Sequence, residues 1–115
     1  MKRSILDTNF ILSCVKQKID FFEDIKMMGI QILIPKQVIN ELKNLKNQNS
    51  ELSLKILEKN RFKKIDLGKG DVDRSIIKFA KKNPRIIVAT LDREIKKKVK
   101  NLKLVIRGKK KLEII

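Results

Sequence analysis

The sequence predicts an α/β domain built on a mostly parallel sheet, and three observations carry that reading. Short β-branched runs alternate along the chain with segments of helical apolar spacing. Two runs, Ile30 to Ile34 and Ile86-Ile87-Val88-Ala89-Thr90, are nearly unbroken rather than alternating, as strands covered on both faces should be. The length of 115 residues, 42% of them hydrophobic, suits one core, so residues 1–115 read as a single domain. Strand–helix alternation then implies a three-layer α/β/α arrangement, with helices on both faces of the sheet.

Met1 to Leu6 is long enough for a first strand, and Asp7 follows it directly. Phe10, Ile11 and Cys14 then recur at helical spacing, predicting a helix from about Thr8 to Val15. Ile19, Phe21, Phe22, Ile25, Met27 and Met28 predict a second short helix ending at Gly29. Ile30 to Ile34 is a strand stopped by Pro35, which suits the first turn of a helix bearing Val38, Ile39, Leu42 and Leu45. The polar stretch Lys46 to Ser50 breaks that helix, and another over Ser50 to Glu58 bears Leu52, Leu54, Ile56 and Leu57. Phe62 to Leu67 is a short strand and Gly68-Lys69-Gly70-Asp71 a turn. A helix from Val72 to Lys81 follows, until Asn83-Pro84 ends it. Arg85 to Leu91 reads as a central strand, second only to the first in that respect, and Asp92 to Lys100 as a helix. Lys103 to Arg107 and Lys111 to Ile115 alternate about Gly108 and read as a terminal pair of edge strands.

Charge narrows the class of partner. With 29 Lys and Arg against 13 Asp and Glu, the net charge is +16, a balance that attracts polyanions through counterion release. A thermophilic surface or an AT-rich genome supplies such a bias too, so charge suggests nucleic acid without proving it. The absence of histidine removes a His-based triad and a His-ligated zinc site. A single cysteine, Cys14, builds no disulfide framework and lies on an apolar stripe. No apolar run approaches a membrane span and no secretory signal opens the chain, so the expectation is a cytoplasmic protein without a membrane partner.

Four acids stand apart from the rest. Positions i, i+3, i+4 and i+7 share a helix face. By that rule Asp7 lies with Phe10, Ile11 and Cys14; Glu41 with Val38, Leu42 and Leu45; Asp73 with Ile76, Ile77 and Ala80. Asp92 lies with Ile95 and Val99, although Lys96 takes the i+4 place. Asp71 and Glu94 instead share faces with Arg74, Ser75 and Lys78, or with Lys97, Lys98 and Asn101, which are solvated faces. Asp7, Asp73 and Asp92 each begin a helix, and helices following parallel strands begin at one edge of the sheet, where such folds hold ligands. For any one of them a helix N-cap is the plainer explanation. Together, with Glu41 within reach, they form a cluster of carboxylates. Two such charges ~5 Å apart repel by roughly 3 kcal/mol at an effective dielectric near 20, so the cluster calls for a cation. Oxygen-only donors select a hard one, Mg2+ or Mn2+. Magnesium among carboxylates takes phosphate as a further ligand, and with a basic surface this points to hydrolysis of a nucleic-acid phosphodiester.

At this point the residues resemble a family. Ile5-Leu6-Asp7-Thr8-Asn9-Phe10, Ile34-Pro35 with Glu41-Leu42, Asp73 with Ile76 and Ala80, and Val88-Ala89-Thr90-Leu91-Asp92-Arg93-Glu94 together resemble the PIN-domain nucleases, over Lys2 to about Arg107. The block from Ala89 to Glu94, followed by Lys96, Lys97 and Lys98, is similar to the archaeal and eukaryotic branch tied to ribosomal RNA processing; VapC-type toxins are relatives. The resemblance implies a metal-dependent endoribonuclease with a central parallel sheet, commonly a homodimer. It places the four family acids on Asp7, Glu41, Asp73 and Asp92, and polar support on Thr8, Asn9 and Thr90. Asp71 stands two residues from Asp73, and a loop can present either; the stripe favours Asp73. Glu94 matches a position of a further acid, for a second metal through water.

Lys96, Lys97, Lys98 and Lys100 concentrate positive charge after Asp92 and are candidate RNA contacts, with Lys103, Arg107 and Lys109 to Lys111 beyond them. Any one of these lysines also reads as a solvated face. Without Trp or Tyr, a base-stacking platform has little support, so RNA shape and backbone are the expected targets. Two other readings compete with a ribosomal RNA enzyme. One is a toxin ribonuclease held by an antitoxin. The other is a non-catalytic RNA-binding domain serving ribosome assembly, against which the retention of all four acids counts. A phospho-aspartate mechanism is weakened by Asn9 at the place of its second aspartate.

Overall fold

The computed structural model describes residues 1–108 and 110–115; Lys109, one of the basic residues near the end of the chain, lies outside them. The elements run β1 (Lys2–Leu6), α1 (Thr8–Lys16), α2 (Phe21–Met27), β2 (Ile30–Pro35), α3 (Lys36–Leu45), α4 (Gln48–Glu58), β3 (Lys63–Ile65), α5 (Val72–Lys82), β4 (Ile87–Ala89), α6 (Arg93–Lys98), β5 (Lys103–Arg107) and β6 (Lys111–Ile114). The six strands form one sheet in the order β3-β2-β1-β4-β5-β6. All neighbours pair in parallel except β5 and β6, which are antiparallel.

Strand pleating sorts the core into two layers. Leu6, Ile32, Ile34, Ile87 and Ala89 face one side, where they meet Phe10, Ile11, Cys14, Val38 and Leu42 from α1 and α3. Ile5, Leu33 and Val88, one residue out of phase, face the other side and pack on Ile76, Ala80 and Ile95 from α5 and α6. The unbroken apolar runs were the signal for this double covering, and β1 and β4 are indeed the two central strands.

The chain order places a topological switch between those two strands. After β1 the chain moves outward through β2 and β3, then returns to the far side of β1 for β4. Ligands in open α/β sheets bind at such a point, outside the carboxyl ends of the strands. The Asp7 N–H donates to the carbonyl of Ala89 across it, at 3.0 Å.

Several sequence expectations are corrected. β5 is an interior strand paired with β4 and β6, so of the terminal pair β6 alone is an edge, and Leu104 and Val105 are buried in succession. Pro35 ends β2 and holds the N-cap position of α3, with φ −64° and ψ 140°, instead of lying inside the helix. The α3 stripe stops at Leu42, since Leu45 is 46% exposed, and Met27 and Met28 are outside the core. In α4 the fully buried residues are Ser50, Ser53 and Leu57, with Leu54 and Ile56 packed on the core as expected, while Leu52 is exposed. The serines bury at little cost because each is hydrogen-bonded locally. Ser50 forms a reciprocal capping box with Asn47, and the Ser53 hydroxyl donates to the Asn49 carbonyl at 2.7 Å.

Candidate active site

Four acids come to the carboxyl edge of β1 and β4 from four different elements, and their local settings differ. Asp7 is 3% exposed and stands at the N-cap position of α1, yet its side chain makes no capping hydrogen bond to the helix N–H groups beyond Thr8. Its Oδ2 accepts a hydrogen bond from the Thr90 hydroxyl at 2.8 Å. Burial pushes its pKa up to about 6; Thr90 and the Thr8 N–H oppose that rise, and the charges of Asp73 and Asp92 add to it. A buried acid held among other acids is the arrangement that invites a cation.

Asp92 has a different setting. It is half-buried, and its Oδ1 accepts from the backbone N–H of Glu94 at 2.8 Å and of Ile95 at 3.3 Å, a true N-cap of α6. The Thr90 Oγ1 that donates to Asp7 also accepts from the Asp92 N–H at 3.0 Å. One hydroxyl thereby fixes both aspartates, and its position follows from the register that sets Leu6 beside Ala89.

Asp73 is the second residue of α5 and is exposed. Partial desolvation raises its pKa, and Asp92, Asp71 and Glu41 raise it further in that order. Asp71 two residues earlier is the N-cap of α5, accepting from the Arg74 N–H at 3.0 Å. Its charge still reaches Asp73, but its carboxylate serves the helix. Glu41 sits on the outer side of α3 and accepts a hydrogen bond from the Thr8 hydroxyl. That bond ties the start of α1 to α3 above the same edge.

The remaining candidates lie further out. Glu94 is exposed and pairs with Lys98 at 3.7 Å, one helical turn on. Asn9 is exposed and lines a hollow of about 390 Å³ with Ser13, Lys16 and Asn47. Lys97, Lys98 and Lys100 are exposed and Lys96 half-buried. At 1.5 Å of rise per residue, Lys97 stands roughly 7 Å along the axis of α6 from Asp92. Gln37 and Asp66, absent from the sequence reading, meet beside this edge, where the Gln37 amide donates to the Asp66 carboxylate at 2.7 Å. No spacing rule signals a pair 29 residues apart.

The donor set suits a hard divalent cation. Only carboxylate and hydroxyl oxygens converge here, and Cys14 is buried in the core. Among the described residues no three acids already stand in a closed metal-binding group. A loose set is compatible with magnesium or manganese, which keep several waters and take one or two carboxylates together with phosphate oxygens. Asp7, Asp73, Asp92 and Glu41 are the residues that would hold it.

Comparisons with known proteins follow the same lines. Ribonuclease VapC4 of Methanocaldococcus jannaschii is 29% identical over 127 aligned residues, covering 99% of this chain and 97% of that protein. The PIN domain endonuclease Utp24 superposes with a TM-score of 0.85 at 26% identity, covering 97% of this chain and 90% of that one. VapBC2 from Rickettsia felis, solved on a DNA fragment from its promoter, shares the fold with a TM-score of 0.66 at 17% identity, over 90% of this chain and 98% of that one. With residues 4–109 matching the model of the PIN like domain, the chain belongs to the PIN-like domain family.

Proposed function

We propose that this chain is a metal-dependent endoribonuclease, a hydrolase of RNA phosphodiester bonds that uses Mg2+ or Mn2+ at Asp7, Glu41, Asp73 and Asp92. The observation that carries the proposal is the buried carboxyl of Asp7, whose pKa is raised to about 6 by burial and by neighbouring acids at the switch point of the sheet. A site built of mutually repelling acids is stabilised by a cation and, through it, by the phosphate of a substrate. A bound divalent ion supplies positive charge at the scissile phosphate and makes water a competent nucleophile at neutral pH.

The chain's own residues perform the positioning. Thr90 holds Asp7 Oδ2 and the Asp92 backbone in one arrangement, and Thr8 holds Glu41. Asp73 and Asp92 stand at helix starts on the opposite layer from Glu41, so the acids surround the edge from both faces. In hydrolysis the water oxygen bonds to phosphorus, the bond from phosphorus to the leaving ribose oxygen breaks, the water proton leaves to solvent or an ionised carboxylate, and the leaving oxygen takes a proton from solvent to become a hydroxyl. No histidine takes part. Exposed Lys97, Lys98 and Lys100 support backbone phosphates without reading sequence.

Structured RNA, such as a ribosomal RNA precursor, is the substrate class this reading favours, on the resemblance of the Ala89 to Glu94 block to the ribosomal-RNA-processing branch, while the superposition on the endonuclease Utp24 supports an endonucleolytic cut. Full-length similarity to ribonuclease VapC4 supports a second reading, a toxin ribonuclease with an antitoxin partner. The test is cleavage of structured RNA with manganese, with magnesium and with EDTA, wild type beside Asp92→Asn. Metal-dependent product from wild type alone is expected. Tight salt-sensitive binding without product from either protein would replace the enzyme by an RNA-binding assembly factor. Growth arrest on expression alone, relieved by a co-expressed partner, would select the toxin.

A further inference from the structure

The acids of the site are carried by two layers, and one polar network joins those layers at the edge. Gln37 is the second residue of α3, and Glu41 lies one turn further along the same face. The chain leaves β3 beside it, because Ile65 pairs level with Pro35. Residues 66–71 then pass to α5, which begins at Val72 and carries Asp73 on the opposite layer. Gln37 binds that connection at three points. Its Oε1 accepts from the Leu67 N–H at 3.0 Å, and its Nε2 donates to Asp66 Oδ1 at 2.7 Å and to the Gly68 carbonyl at 3.1 Å. Asp66 Oδ1 also accepts from the Gly68 N–H at 2.8 Å, closing the turn on itself.

The segment needs such a fixed point. Gly68 and Gly70 have φ of +86° and +113°, in the left-handed region, and a Cβ built on either meets nothing within 4 Å. These glycines therefore serve backbone direction rather than close packing. Leu67 and Val72 rest against the core and hold it in part. Ile76 and Ala80 seat the body of α5 in the core, and the Gln37 amide adds a direct hydrogen-bonded tie between α3 and the loop that leads into it. An amide side chain is suited to this, since it offers a donor and an acceptor together and matches a turn's carbonyl and N–H.

We propose that Gln37, with Asp66, is a positioning pair that latches the β3–α5 loop to α3 and sets the separation of Asp73 from Glu41, and hence the affinity of the acidic edge for a divalent cation. The proposal rests on the metal-site reading given under the proposed function. Neither residue touches the cation or the substrate. Residues of this kind, one step removed from the ligands, alter metal affinity about 10- to 100-fold when removed.

The experiment is manganese binding by calorimetry on the whole chain, with the unfolding midpoint recorded without metal. Gln37→Leu is expected to weaken manganese binding about tenfold, and Asp66→Ala, which breaks the latch from its other side, to do the same. Asp66→Asn keeps both acceptor functions and is expected to bind as wild type. In an Asp73→Asn background the effect of Gln37→Leu is expected to disappear, because the latch acts through Asp73. Undiminished binding by both latch variants would overturn the proposal alone. A loss that persists in full without Asp73 would overturn it as well, by showing general loosening. No manganese binding by the wild type would overturn the metal-site reading and the latch with it.

Discussion

Asp7 closes β1 and Asp92 follows β4, the two central strands, and each stands at the N-cap position of the next helix. Asp92 satisfies the N–H groups of Glu94 and Ile95. Asp7 makes no side-chain cap to the N–H groups beyond Thr8; it is buried, receives the Thr90 hydroxyl, and has its pKa raised to about 6. Two aspartates in one kind of place thus differ through solvent access and neighbours alone. Capping rewards the ionised carboxylate, whereas burial among like charges penalises it. A residue kept at a site that penalises it points to a partner outside the chain.

The largest effect expected from this difference is in Asp7→Asn. RNA cleavage should fall by at least about 100-fold, since charge stabilisation at the phosphate contributes several kcal/mol. Stability should move the other way. An acid whose folded pKa lies above its unfolded value favours folding fully below pH 3.8 and loses that contribution as pH rises to about 6. Wild type should therefore lose about 2–3 kcal/mol over that window relative to Asp7→Asn, measured by denaturant unfolding between pH 3.5 and roughly 7 in EDTA. Equal pH dependence in the two proteins would show that Asp7 ionises normally.

Thr90→Val should be next in size. It removes the donor that lowers the Asp7 pKa and the acceptor for the Asp92 N–H, so a cost of about 1–3 kcal/mol is expected, with Asp7 titrating still higher. Carbon-detected NMR titration of the carboxyl would show the shift. A smaller contrast is available at Asp92. Asparagine caps as well as aspartate, so Asp92→Asn should lose cleavage while its midpoint stays, whereas Asp92→Ala should also cost about 1 kcal/mol. Loss of stability in both variants alike would assign Asp92 more than a cap. The least effect on the chemical step is expected from reversing Lys97 and Lys98 to Glu. RNA binding should weaken and its log–log salt slope flatten by about two, with cleavage at saturating RNA retained.

Much of this arrangement was legible in the sequence because it is local. Apolar runs marked β2 and β4 as doubly covered, and helical spacing placed Asp7, Glu41, Asp73 and Asp92 near buried stripes. What spacing could not say is which acids are buried. Asp7 is, while Glu41 and Asp73 lie at the rim, because they flank the buried lines of Val38 with Leu42 and of Ile76 with Ala80 instead of lying on them. Nor could it divide work between Asp71 and Asp73, since only the three-dimensional start of α5 makes the first a cap. Thr90 beside Asp7 depends on β1 pairing with β4, across 83 residues, and Gln37 with Asp66 on β2 pairing with β3. Those contacts belong to topology. The interior place of β5 was missed for the same reason, as its residues alternate like an edge.

The most direct test of the whole account is the unfolding midpoint of wild type and Asp7→Asn at pH 7, each with EDTA and with manganese. Wild type should be the less stable protein in EDTA and should gain stability with manganese as mass action requires, while Asp7→Asn should start higher and respond little. A wild type indifferent to manganese, together with an Asp7→Asn protein less stable than it, would contradict the account and return Asp7 to an ordinary structural role.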